Sequence, residues 1–439
     1  MLPETATSAA LSRRSLIRAG LLGAAGLAAA PALSACGNGA SDGGSLVWSS
    51  WTNPGEAAKH KAFSAELGEK LGLDTKFQAI TGDYQQKLLA QLAGGAAPDA
   101  FYVGEAEMAK LIESEQVIDL SEYLASADSP IKQEDFHENL LGWTRPEVGS
   151  PEIYGLPVDC NPAALWFNKD VLAEAGVDVN PAQQFEAGTW TPDALEDVLS
   201  QVKAAGKRGL ASGSWWFDWY GWMTIYGGTP FDDAGKAVFD TDAKCLQGLE
   251  WMFEQFGTGN MTFSGALPQG QGADALFFSG QMAFLNMGRW VLPNLMDLNF
   301  GFDVAPHPSP SGKDFMSVPL GAAAIAVNAK ARNPEGALEF VANYVSPDGQ
   351  RARLSGGGNA VPSIAGLDDV VTEDGIPEHA HFFNEIAAHA TTLPLTVTAN
   401  AKVASEYGNV ADKLLKDDST TAKSFATALA KFINSGGEA

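Results

Sequence analysis

Leu156-Pro-Val-Asp-Cys-Asn-Pro-Ala-Ala-Leu-Trp-Phe167 is a strand-like apolar run broken in its middle by Asp159, Cys160, Asn161 and Pro162. A strand buried on both faces reads as continuously apolar, because hydrophobic layers cover it above and below. Polar residues and a proline inside such a run predict that the chain leaves one hydrophobic layer and enters another. The length asks for the same division. A chain of 439 residues exceeds the roughly 250–300 that a single core usually serves. Two lobes with a crossing near residue 160 are expected.

Around this crossing, strand and helix patterns alternate. Leu46 to Ser50 is a short apolar strand, Glu56 to Leu71 has helical periodicity, and Asp74 to Ile80 reads as the next strand. Asp83 is placed to cap a helix through Leu92, which Gly94-Gly95 ends. Pro98 to Val103 is a buried strand, and Met108 to Ser114 a further helix. Thr191 and Pro192 open a helix carrying Leu195, Val198, Leu199 and Val202 on one face. Asn333-Pro334 opens another, and the final helix spans about Thr420 to Asn434. This spacing predicts α/β layers with a largely parallel sheet in each lobe.

The first residues read as an address. Arg13 and Arg14 precede an apolar run, Ala19 to Ala30, which is shorter than the ~20 residues a spanning helix needs. Ser12 to Arg18 is similar to the twin-arginine export motif, and Leu33-Ser34-Ala35-Cys36 resembles the bacterial lipobox. Residues 1–35 are therefore expected to be an export signal, with Cys36 as the lipidation site. Residues 36–45, rich in Gly, Ser, Asn and Asp, are expected to form a flexible tether. The expected location is the outer face of the cytoplasmic membrane.

A net charge of −25 repels phosphate backbones, so nucleic acid is not an expected partner. Cys160 and Cys245 are expected as two buried free thiols, a disulfide being the alternative. His379 and His381, with His389 beyond, are read as solvated side chains rather than metal ligands. Gly39-Ala-Ser41-Asp-Gly43 fits a nucleophile-elbow pattern but lies in the tether, with no strand before it. No phosphate-cradling loop occurs. Neither catalysis nor a cofactor is expected.

Aromatics concentrate in Trp215-Trp216-Phe217-Asp218-Trp219-Tyr220-Gly221-Trp222. Alternation there would turn only some of these rings, Trp215, Trp216 or Trp219 among them, toward a ligand. Strand ends, where open α/β sheets place their ligands, offer Trp51, Thr52 and Glu105, and Tyr84 stands at a helix start. Asp159 and Asn161 flank the crossing. Gly356-Gly357-Gly358-Asn359 can bring backbone amides close to a ligand or serve as a plain turn.

Five segments, in order, resemble the extracellular solute-binding proteins of ATP-driven importers. They are Tyr84–Asp99, Ile153–Pro157 with Leu165–Asp170, Trp190–Leu195, Phe278–Trp290, and Asn333–Phe340 with Ser346–Gln350. The likeness is greatest to the carbohydrate-binding group that includes maltose-binding protein. It implies a type II binding-protein fold with a ligand cleft at the hinge. Residues 46–158 and 322–365 would form lobe one, and 159–321 with 366–439 lobe two. It also implies a monomer that captures a mono- or oligosaccharide and delivers it to the membrane permease of an importer. Trp290 matches the group's stacking position, with Arg289 beside it, and Asn161 falls where a carboxylate stands in maltose-binding protein. The helix near Asn400 lacks an aromatic common there. A polyamine is the alternative solute, served by Asp159, Glu105 and Asp218.

Overall fold

The computed structural model describes residues 45–438 apart from 53, 81–82 and 269–271. The export signal, Cys36 and the tether up to residue 44 lie outside the described residues. Ser45, counted above with the tether, already opens the first strand. The strands are β1 (Ser45–Ser50), β2 (Asp74–Ala79), β3 (Ala100–Gly104), β4 (Leu156–Pro162), β5 (Ala164–Asn168), β6 (Leu210–Ser212), β7 (Met261–Phe263), β8 (Phe284–Met287), β9 (Phe302–Ala305) and β10 (Leu320–Val327).

One sheet has the order β2-β1-β3-β10-β4. β2, β1 and β3 pair in parallel, and β10 runs antiparallel to both β3 and β4. In the second, β5 runs antiparallel between β8 and β9, while β6 pairs in parallel with β7. A parallel bridge from Arg208 to Met282 joins these pieces beside β8. Each sheet therefore contains a single reversed strand, β10 in the first and β5 in the second.

The apolar run quoted at the outset is where the sheets exchange chain. β4 belongs to the first sheet, Ala163 alone separates it from β5, and β5 belongs to the second. The return is made before β10, at Pro319, which bridges to Thr391. A third segment joins them: Val361 and Cys160 exchange backbone hydrogen bonds of 2.9 Å. Two hydrophobic cores result. One gathers Trp48, Phe101, Leu156, Ile325, Phe340 and Tyr344, the other Trp166, Trp190, Trp222, Phe284, Leu320 and Phe425.

Local signals behave as the side chains dictate. Asp83 accepts from the Gln86 amide, Thr191 from Ala194, Asn333 from Gly336 and Thr421 from Ser424, each at the start of a helix. The Trp216–Thr224 segment is helical, contrary to an alternating reading, and it buries Trp216, Phe217, Trp219 and Trp222. Cys160 and Cys245 are buried and free. None of the described helices is long and apolar enough to cross a membrane.

The solvated reading of His379 is corrected. It is buried, with Nδ1 2.9 Å from a carboxylate oxygen of Asp303 and its amide donating to the other oxygen at 3.1 Å. Asp303, Glu378 and His379 could together face a cation. Lys169 Nζ already stands 3.2 Å from Asp303 and 3.1 Å from Glu378 and supplies that positive charge.

Two buried basic groups bear on stability. Arg289 is 1% exposed and donates to the carbonyls of Gly358 at 2.5 Å, Ala360 at 2.9 Å and Val371 at 3.3 Å, which pins the returning chain to the second core. Arg289→Ala leaves three carbonyls without their donor and should cost about 3 kcal/mol or more in urea unfolding. Arg289→Lys should recover only part, since an ammonium lacks the planar fork. His307 is 1% exposed, has no hydrogen-bond partner among the described residues, and lies 5.1 Å from the Trp222 ring. Burial pulls its imidazole down to about 3. The unfolded chain therefore binds the extra proton first. The neutral imidazole's contribution is complete above pH ~6.5 and is lost at about 1.4 kcal/mol per pH unit as pH falls toward 3. In His307→Phe, stability measured from pH 6.5 to 4 should fall less steeply than in the parent by about that slope.

Candidate functional site

A strand that runs straight into a helix sets the first wall of the site. β3 ends at Gly104, and the helix Glu105–Glu113 begins at once, so Glu105 and Glu107 occupy its first turn. Acidic side chains are favoured there by the unpaired amides of the helix start. Met108 and Leu111 fasten this helix to the first core. The opposite wall comes from the second core. Trp215 is the extended residue before the Trp216–Thr224 helix, with φ −70° and ψ 142°.

Between these walls lies a cavity of about 190 Å³. Glu105, Glu107, Trp215, Trp216 and Tyr407 give it its chemistry, and Gly321 and Ala322 of β10 floor it. Leu393, Thr398 and Ala404 close the far side. Tyr407 comes from the helix Ala401–Leu415, which Asn400 caps and which packs on the Glu105–Glu113 helix.

Trp215 is 44% exposed. One face of its indole is stacked on Phe217, with centroids 4.8 Å apart and planes 11° from parallel. Trp290 completes the group, 5.2 Å from Phe217 and 6.4 Å from Trp215. Glycines make this packing fit. A Cβ at Gly288 would lie 2.2 Å from the Trp290 ring and 2.7 Å from Cβ of Asn161, and one at Gly321 would stand 3.4 Å from Phe217. Asn161, the crossing residue, thus adjoins Trp290, and its Oδ1 is buried without a partner among the described residues. The loop carrying Trp215 is held by Asp218, whose carboxylate accepts the Gly213 and Trp215 amides while burial pushes it up to about 7.

Burial acts most strongly on the acids of the cavity. Oε1 of Glu105 is cut off from water and has no hydrogen-bond partner among the described residues. Burial, and then the charge of Glu107, push its carboxyl well above the usual carboxylate range. Glu107 is raised by its own burial and by Asp83. Burial also raises the Tyr407 phenol, with the charge of Glu105 adding to it, and Trp215 hydrogen-bonds to that hydroxyl.

Of the residues singled out in the sequence, Glu105, Trp215 and Trp216 line this cavity, and Trp290 and Asn161 adjoin it. Others are placed elsewhere. Tyr84 is buried and directs its hydroxyl to the carbonyls of Ser49 at 3.3 Å and Tyr102 at 3.0 Å. Trp219 is 1% exposed, and its indole N–H donates to the Ser214 carbonyl at 3.1 Å. Arg289 directs its guanidinium to backbone carbonyls, as described, not to the cavity. Asp159 lies 3.5 Å from Arg353 Nη1. Trp51, at the end of β1, is 36% exposed and meets Tyr84 and Tyr102 edge-on, both at 5.4 Å. Thr52 and Asn359 are half-buried and do not line the cavity. The glycine amides beside Asn359 are engaged internally, Gly356 with Glu373 and Gly358 with the Leu354 carbonyl.

Sequence reasoning passed over Phe217, Glu107 and Tyr407. Glu107 could have been found from Glu105, since two acids in one first turn share a helix end. Tyr407 lies about two turns beyond Asn400 on the same helix, where no motif marked it.

Residues 49–351 match the family described as Bacterial extracellular solute-binding protein. A putative ABC transporter periplasmic-binding protein, YcjN of Escherichia coli (strain K12), is 30% identical over 111 residues, and the match spans a quarter of each chain. Among solved structures, an ABC substrate-binding protein from Listeria monocytogenes in complex with cycloalternan superposes with a TM-score of 0.74 at 19% identity, covering 89% of this chain and 98% of that one. The GacH receptor of Streptomyces glaucescens GLA.O, studied unliganded and with acarbose, gives 0.71 at 18% identity with coverages of 89% and 98%. An ABC transporter associated binding protein from B. animalis subsp. lactis Bl-04, in complex with beta-1,6-galactobiose, gives 0.67 at 17% identity with coverages of 90% and 98%. These likenesses establish the two-lobed α/β fold. The match over most of the chain places this protein in the bacterial extracellular solute-binding protein family.

Proposed function

We propose that this protein is the exported, lipid-anchored receptor of an ABC sugar importer, which captures a mono- or oligosaccharide between its lobes and presents it to the membrane permease unchanged. The observation that carries the reading is the pairing, across one cavity, of an exposed indole face with a buried unpartnered carboxylate oxygen. A sugar ring offers apolar C–H patches on its faces and hydroxyls on its rim. An indole covers the first, and a carboxylate accepts from the second.

The proposed lobes are 46–158 with 322–365, and 159–321 with 366–439. The two cores support this division in the main, although Leu140 and Val361 pack in the second core and Leu367 and Val370 in the first. Trp215 and Trp290 form the platform, with Trp216 at its edge, and Glu105, Glu107, Asn161 and Tyr407 bond the hydroxyls. The similar structures with cycloalternan, acarbose and galactobiose support a carbohydrate as the class of solute. The motif at Cys36 supports the anchor, and closure of the lobes would be the signal the permease reads.

Intrinsic tryptophan fluorescence of the chain from Ser45 onward, titrated with a panel of sugars, tests the reading. One sugar should give a saturable change that its epimers do not. Trp215→Ala should weaken that affinity at least about tenfold, because it removes the stacking face. Gly288→Ala should weaken it too, by displacing Trp290. Saturation by a polyamine alone, or turnover of a bound sugar, would contradict the proposal.

A further inference from the structure

The cavity holds two acids whose ionisation its own wall does not balance. Glu105 and Glu107 both face it, and neither lysine, arginine nor histidine is among its lining residues. The cations that sequence proximity would suggest are committed elsewhere. Arg289 donates to three backbone carbonyls, and Arg353 pairs with Asp159 and lies 4.3 Å over the Tyr344 ring. Asp218, the other acid of this region, is satisfied by backbone amides. That leaves Glu105, with one oxygen buried and unbonded, beside a second carboxylate.

Resting on the sugar-binding reading above, we propose that the solute is an amino-substituted carbohydrate, whose protonated amine is held by Glu105 and Glu107 while its ring lies on Trp215. A buried carboxylate is costly unless a partner supplies opposite charge or donors. A neutral sugar brings hydroxyls, each able to donate one proton to one oxygen. An ammonium brings three donors and the missing charge, and charge-assisted bonds of this kind are about twice as strong as neutral ones. Two acids within one helical turn suit a multi-donor cation better than a single hydroxyl. Aromatic faces add to the selection, since Trp215 and Tyr407 attract a desolvated cation as well as C–H groups. The raised carboxyl of Glu105 agrees with a site whose charge is completed only on binding.

The test compares sugars with their amino counterparts by isothermal titration calorimetry at pH 7: glucose with glucosamine, and N,N′-diacetylchitobiose with its de-N-acetylated dimer. The amino member should bind at least about tenfold tighter. Glu105→Gln should abolish the difference between the two, and Glu107→Gln should reduce it. Circular dichroism melts confirm that each variant is folded, and either variant alone suffices if the other is not. Equal or tighter binding of the neutral members overturns the inference and leaves the sugar reading standing. Binding of spermidine with no response to any sugar overturns both.

Discussion

Each sheet is completed by a strand that the chain lays down on arriving from the other sheet. β5, entered straight from β4, is the reversed strand of the second sheet, and β10, entered after β9, is the reversed strand of the first. Both sit inside their sheets, so the second sheet needs the first crossing and the first sheet is complete only after the return. A hydrophobic layer tolerates such a crossing only where polar and small residues take over from the apolar run. Asp159, Asn161, Pro162 and Gly321 are those residues. Asn161 and Gly321 are register partners at the exchange, and Gly321 lines the cavity. The cavity floor therefore lies beside the crossing.

This placement explains the division of labour around the proposed solute site. The first core contributes the acids Glu105 and Glu107, through a helix whose opening turn is fixed by the end of β3. The second contributes surface, through an indole held in place by Phe217 and by the Asp218 carboxylate. Neither contribution alone recognises much. A rigid aromatic face binds many rings, and a carboxylate binds many donors, but the two at a fixed separation select. Because they lie on different cores, the proposed closure about the crossing would change their separation.

Much of the fold was legible in the sequence, because its signals are local. The broken run from Leu156 to Phe167 located the crossing, and Asp83, Thr191 and Asn333 marked helix starts through side-chain capping that depends only on near neighbours. The site was legible in part. Glu105 followed from its position at a strand end, and Trp290 from the resemblance of Phe278–Trp290 to the family's aromatic-bearing segment. Arg289 misled, since a lone arginine beside a candidate tryptophan does not show that its partners are carbonyls some 70–80 residues further along the chain. His379 misled likewise, because its partner Asp303 is distant in sequence. The tryptophan cluster was read with the wrong period, as its rings pack on all sides of a helix, and no alternation rule separates Trp215 from Trp219. Tyr407 reaches the cavity only because its helix packs on Glu105–Glu113, a contact that no motif records.

The most direct test of this account is the position of bound solute in a crystal of the chain from Ser45 onward, grown with the sugar that binds most tightly. The account predicts density for a ring lying on the free face of Trp215, with a donor of that ring on the Glu105 carboxylate. A solute bound elsewhere, with Trp215 and Glu105 untouched, would contradict it.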